Sequence, residues 1–195
     1  MSKRGFLVPM VVLVLLVPTG VALGEGLFLS ATVGAGQLDS RPVGELGLTL
    51  GTRLTPWLDG GASAGAFHTL EREYEDEQGR AYQAESGFTA LYLRPHVDIG
   101  ERLELGITLR SGTGILQYRY SHEYREELVW TEEILDSVTF GMYAAGLDVA
   151  LRLCPFHEIT LDGGYRGASP LRTPYADNGD WNSPYVGLSY TWKLL

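Results

Sequence analysis

The chain has 195 residues, 45 % hydrophobic and 20 % charged, with a formal net charge of −9 and one cysteine. The acidic balance excludes nucleic acid as a natural partner, and the lone Cys154 excludes an internal disulfide. The length suits one domain. A mean hydropathy near zero argues against a bundle of membrane helices but not against a barrel, where only alternate residues need be apolar.

Lys3 and Arg4 open the chain, an apolar run extends from Phe6 to Val17, and Ala22-Leu23-Gly24 offers small residues at the spacing of an export-signal cleavage site. Cleavage after Gly24 is expected. A spanning helix needs ~20 mostly apolar residues, and Pro18 and Gly20 interrupt this run. The chain therefore divides into a signal peptide, residues 1–24, and a β-barrel, residues 25–195. Without Lys3 and Arg4, the mature part keeps 13 of the 15 basic residues against 24 acidic ones, a formal charge of −11.

In the first mature segment, Leu27, Leu29, Ala31, Val33 and Ala35 interleave with Phe28, Ser30, Thr32, Gly34 and Gly36. A period of two over ten residues predicts a strand. The second segment repeats it, with Leu46, Leu48, Leu50 and Leu54 on one face and Glu45, Gly47, Thr49, Gly51 and Arg53 on the other. Further strands are predicted around Leu58 to Leu70, Phe88 to Ile99, Leu103 to Tyr118, Val138 to Leu153, Ile159 to Arg166 and Tyr185 to Leu194. The total is about eight, an even number as membrane barrels of this kind have.

The connections alternate in length. Thr55-Pro56, Gly100-Glu101 and Pro155-Phe156 read as tight turns, and 37–42, 71–86, 119–137 and 167–184 as longer loops. Short turns on one rim and long loops on the other are the outer-membrane arrangement. A soluble barrel or sandwich is the rival reading. Glycine decides against it: Gly47, Gly51, Gly61, Gly65, Gly106, Gly112, Gly114, Gly146, Gly164 and Gly187 share the polar face, where a narrow interior explains them better than a solvated surface does.

The closing segment carries Tyr185-x-Gly187-x-x-Tyr190-x-Trp192, which is similar to the C-terminal assembly signal of outer-membrane barrels. The whole mature chain resembles the small OmpA/OmpX-type barrels. That resemblance implies an all-β, transmembrane, antiparallel up-and-down barrel in the bacterial outer membrane. It also implies contact with outer-membrane lipid, a passing encounter with the barrel-insertion machinery, and a monomer. The sequence ends before any counterpart of the cell-wall-binding domain that OmpA proteins carry, and no cofactor or metal is expected.

The inward positions include Glu45, Arg53, Asp59, Arg94, His96, Asp98, Glu104, Arg110, Asp148, Arg152, Asp162, Arg166 and Lys193, a nearly balanced set of both signs. Charges taken out of water cost several kcal/mol each unless paired. The expectation is a plugged polar interior, with Arg110 meeting Asp148 or Glu104, Arg152 meeting Asp162, and His96 hydrogen-bonded. Narrow OmpW-like transport is the runner-up, favoured by an apolar lumen. Third comes a lipid A-modifying enzyme, for which His68 and His122 with Ser63, Ser111 and Ser121 are the conceivable base and nucleophiles. Adjacent residues of a strand face opposite ways, and no His-x-Ser arrangement is present, so a non-enzymatic protein is expected.

Residues 71–86 and 119–136 each hold six acids and two arginines, and together supply −8 of the mature charge. Tyr118, Tyr120, His122 and Tyr124 alternate with polar residues, and Leu128 and Trp130 lie on the return, so these hairpins are expected to rise beyond the membrane. Tyr120, Tyr124 and Trp130 are the candidates for contact with an extracellular partner whose identity the sequence does not give. Asp177-Asn-Gly-Asp180 has oxygen ligands without the spacing of a calcium loop and reads as a polar turn.

Overall fold

The computed structural model describes residues 26–38, 41–69, 74–75, 78–120, 133–169 and 182–194. The predicted signal segment, Tyr124, Trp130, His122, Ser121 and residues 177–180 lie outside these. The described strands are β1 (Leu27–Leu38), β2 (Arg41–Thr55), β3 (Leu58–Thr69), β4 (Tyr74–Glu75), β5 (Ala81–Ile99), β6 (Leu103–Tyr120), β7 (Ile134–Cys154), β8 (His157–Ser169) and β9 (Ser183–Lys193). Eight of them close an antiparallel ring in chain order. β3 pairs directly with β5, β9 returns to β1, and the two-residue β4 adds to the start of β5.

The tight turns fall where punctuation residues stand. Gly100, at φ +68°, turns β5 into β6 in a left-handed conformation that a side chain would strain. Two expected loops are shorter than their composition suggested. Leu38 pairs with Arg41, so 37–42 is mostly ladder, and β5 begins at Ala81 within the expected loop 71–86. Polar residues there mislead because they sit on the outer face of a strand that has left the apolar medium.

That change of medium is visible along single strands. On β6, Leu103, Leu105, Ile107 and Leu109 face outward, and Glu104, Gly106 and Thr108 face inward. β7 repeats the pattern with Leu147, Val149, Leu151 and Leu153 outward, and β5 with Leu91, Leu93, Val97 and Ile99. Leu91 and Leu147 are each 71 % exposed. A continuous apolar band of this size has no place on a soluble surface and is the lipid-contacting belt. Outward rings border it, with Trp57, Phe156, Tyr190 and Trp192 toward the short turns and Tyr143 and Tyr165 toward the other end.

Beyond Leu91, Leu109 and Tyr143 the alternation continues but its polarity reverses. Thr89 and Glu85, Ser111, Thr113 and Gln117, and Thr139 and Ser137 are on the outer face, with Ile115 the apolar exception. Phe88, Leu116, Tyr118, Phe140 and Met142 turn inward and join Val43, Phe67, Tyr82, Ala84, Ala90, Tyr120 and Ala168 in one buried apolar cluster. Contrary to the expectation from the sequence, the interior is therefore not polar throughout: charged side chains are enclosed in the short-turn half, whereas the loop half, with polar residues outward and apolar ones inward, is packed like a soluble barrel.

Candidate functional site in the barrel interior

Inward glycines decide which large side chains the lumen can hold. Phe28 lies against Gly51, Phe88 against Gly65, Phe140 against Gly114, Asp148 and Arg94 against Gly106, Tyr185 against Gly146, and Asp162 against Gly187. Each glycine is a slot for a neighbour's side chain, and a Cβ there would collide with it. Gly61, Gly112 and Gly164 instead sit against the backbone carbonyls of Leu50, Thr89 and Ala145.

Toward the short turns, Arg94 is the hub. Its Nε and Nη2 donate to Asp148 Oδ1 at 2.8 and 2.7 Å, and its Nη1 donates to Glu104 Oε2 at 2.9 Å and Asp59 Oδ2 at 3.5 Å. Arg53 donates from Nε to Asp59 at 3.0 Å and reaches Glu104 at 3.5 Å. Arg152 donates from Nε to Glu104 Oε1 at 2.8 Å and from Nη2 to Asp98, whose side chain is half exposed at the rim. Thr108 donates to the remaining oxygen of Asp148 at 2.9 Å. Lys193 pairs with Glu158 at 2.7 Å, a carboxylate that sequence reasoning did not single out.

The expected partners of two arginines are different ones. Arg110 meets Glu45 at 3.6 Å and Asp162 at 4.0 Å rather than Asp148 or Glu104, and Arg152 meets Glu104 and Asp98 rather than Asp162. Register explains both. Arg110 stands opposite Ala144, four residues toward the loops from Asp148, so its guanidinium reaches across the lumen to β2 and β8. Arg152 stands opposite Glu158 at the short-turn rim, four residues from Asp162.

A second, looser group lies under the apolar cluster. Arg166 donates from Nη1 to Glu45 at 3.0 Å and places its guanidinium 4.1 Å from the centre of the Phe67 ring, where the polar interior meets the apolar one. Arg110 makes no hydrogen bond among the described residues. Both oxygens of Asp162 and the hydroxyl of Tyr185 are buried without a well-formed hydrogen bond, although Asp162 has Tyr185 beside it and Arg110 as an ion-pair partner at 4.0 Å. Taken together, Glu45, Asp59, Glu104, Asp148, Glu158 and Asp162 face Arg53, Arg94, Arg110, Arg152, Arg166 and Lys193, so the enclosed set is neutral.

Asp59, His96 and Glu104 are the metal-ligand types that come together among the described residues. His96 is buried with neither ring nitrogen hydrogen-bonded, contrary to expectation, and stands 3.5 Å from Asp59 Oδ2 and 3.6 Å from Glu104 Oε2. Those two oxygens are the ones Arg94 Nη1 already contacts. A guanidinium thus fills the place of a cation, and the donor set does not fit a metal.

Of the conceivable catalytic groups, Ser63 faces the lumen and His68 faces outward on the same strand, so they cannot act as a pair. Ser111 is outward as well. At the loop rim, Arg119 bridges Glu85 at 3.4 Å and Glu133 at 3.0 Å, and Arg80 lies over the Tyr120 ring at 4.5 Å. Tyr120 itself is buried in the apolar cluster rather than displayed. In the closing strand, Tyr190 and Trp192 face outward and stack near His157, with Tyr190 Oη 2.7 Å from His157 Nδ1; Tyr185 and Gly187 face the lumen.

A cavity of about 260 Å³ occupies the short-turn half. Gly26, Pro155, Phe156 and Leu194 border its mouth, and it reaches inward to Tyr92, Arg110 and Asp162. Between Arg110 and the rings of Phe67 and Phe88 only about 10 Å³ of further space remains, so the cavity ends blind beneath the apolar cluster.

Neither a protein-family model nor a curated protein sequence matches the chain. Solved structures do. Neisserial surface protein A aligns with a TM-score of 0.58 at 11 % identity over 87 % of this chain and 96 % of that one. A major outer membrane protein from Thermus thermophilus aligns at 0.51 and 13 % identity over 87 % of this chain and 100 % of that one. Ring closure, strand order and the lipid-facing belt agree with these likenesses, and the chain has the eight-stranded up-and-down fold of the small OmpA/OmpX-type outer-membrane barrels.

Proposed function

We propose that this chain is a non-conducting outer-membrane barrel with a structural or surface-interaction role, working through the hairpins that rise from its loop end. The observation that carries the reading is the apolar cluster inside the loop half. Packed side chains, with Leu116 and Val43 fully buried, fill the lumen where an aqueous path would have to emerge. Paired charges crowd much of the other half. With short turns on the periplasmic side, the long strands project away from the cell.

β5, β6 and β7 have 19, 18 and 21 residues, whereas a tilted membrane strand needs about 9–11. Ile134–Phe140 of β7 pairs only with β6 among the described residues, since the β8 pairing begins at Gly141. An edge of this kind, unpaired among the described residues, would offer backbone groups to an extended partner strand. The acidic segments 71–86 and 119–136 favour a basic partner or divalent cations bridging to anionic glycolipid.

Single-channel recording in planar bilayers tests the closed lumen: no steady conductance is expected, and a large steady one overturns the reading. Removal of 121–132 should abolish binding of whole cells to a surface that the intact protein recognises. Narrow transport of apolar solutes is the second reading. The apolar lining of the loop half favours it, but transport requires the packed cluster to part, and flux of an apolar solute into proteoliposomes would establish it.

A further inference from the structure

We propose that the blind cavity at the short-turn end is a binding site for a small neutral polyol, a single sugar ring entering from the periplasmic side. At about 260 Å³ it lies near the small end of ligand pockets, which run from about 300 to 1,000 Å³. The inner end holds two charged groups whose hydrogen-bonding capacity the protein leaves largely unused. Asp162 is 4 % exposed with neither oxygen in a well-formed hydrogen bond, the Tyr185 hydroxyl lies beside it, and the Arg110 guanidinium, nine-tenths buried, stands 4.0 Å from it. Buried polar groups left in this state are costly and call for a partner.

The partner must donate to Asp162 and accept from Arg110 at once. Neighbouring hydroxyls of a sugar do both, because each O–H is donor and acceptor. A simple anion would face Asp162 and Glu45, and a simple cation would face Arg110, so the opposed pair selects against either. The other cations at the cavity are engaged: Arg94 by Asp148 and Glu104, Arg53 by Asp59, and Lys193 by Glu158.

The walls fit the same class. Phe28 and Tyr92, in edge contact at 6.4 Å, give an apolar surface for the C–H face of a ring. Beside Phe28, on β1 and the adjoining β9, Thr32 and Ser189 pair at 2.8 Å, and Thr191 donates to Ser30 at 3.0 Å. In each hydroxyl pair one proton is used between the partners and the other remains for a ligand.

The test titrates the isotope-labelled mature chain in lipid nanodiscs with D-glucose, N-acetylglucosamine and glycine, reading amide shifts by NMR. Saturable shifts at Thr32, Asp162, Gly187 and Thr191 are expected with at least one sugar, and none with glycine. Asp162→Asn and Arg110→Gln should each weaken binding roughly tenfold, the scale of one or two lost hydrogen bonds. Thr191→Val, which leaves every ion pair intact, should weaken it by a smaller factor and serves if the charge variants fail to fold. Absence of a saturable shift with either sugar, which would mean that the cavity holds water alone, overturns the site. A response to glycine in place of the sugars, or sugar binding unchanged in the variants that fold, overturns it equally.

Discussion

Along β5, β6 and β7 the same alternation runs through two environments with opposite results. In the short-turn half, leucines and valines face lipid and the enclosed side chains are Arg94, Asp148, Glu104 and their neighbours. In the loop half, threonines, serines and glutamate face out and the enclosed side chains are Phe88, Leu116, Tyr118 and Phe140. One barrel is thus a membrane protein at one end and a soluble protein at the other. The backbone ladder is indifferent to the medium, and side-chain transfer free energies decide which face is inside.

Removing the hub of the short-turn half should have the largest effect. Arg94→Ala leaves the buried Asp148 with Thr108 alone and takes one of three arginines from Glu104, and breaking a buried pair costs about 3–5 kcal/mol. Equilibrium urea unfolding in lipid vesicles measures it, and a change below about 1 kcal/mol would mean that water already solvates this cluster.

The next test places the same charge in both environments. Leu147→Arg sets a guanidinium in the lipid belt and should cost about 2–4 kcal/mol. Thr139→Arg, outward on the same strand but above the belt, should change stability by no more than about 0.5 kcal/mol. Equal losses for the two would erase the boundary drawn near Tyr143.

Gly114→Val sharpens the comparison from inside the loop half. The new side chain would take the space of the Phe140 ring, and overpacking of this kind costs about 1–3 kcal/mol. Near-ultraviolet circular dichroism should register the displaced aromatic cluster, with tryptic cleavage of the hairpins as a second readout. Smallest of all, Glu85→Gln removes one arm of the Arg119 bridge at the water-exposed rim and should cost up to about 1 kcal/mol, a loss that high salt also produces in the parent chain.

Strand number, the identity of the membrane face and the crowding reason for inward glycine were legible in residues such as Leu103, Leu105, Gly106 and Ile107, because a period of two with one apolar face leaves little choice. The inversion above Leu109 was not. Tyr118 and Tyr120 alternate with polar residues just as Leu105 and Ile107 do, and periodicity carries no sign for inside or outside. Ion-pair partners were hidden for another reason. They depend on register and on which way a long side chain lies across the lumen, so Asp148 and Asp162, directly opposed on β7 and β8, are served by different arginines from elsewhere in the ring. His96 was placed inside correctly, yet its lack of hydrogen bonds required the positions of Asp59 and Glu104.

The ring is sealed where its first strand meets its last. Thr32 meets Ser189 across 157 positions of chain, and the amide of Leu194 donates to the carbonyl of Leu27 at 2.6 Å. No partial product of synthesis that lacks β9 can make that seam, so the molecule stays an open ribbon until this strand arrives. Long-range joints of this sort are slow to find. Throughout that delay the leucines destined for lipid have no partner strand to close them into a belt, and an open ribbon with bare apolar surface is prone to aggregate.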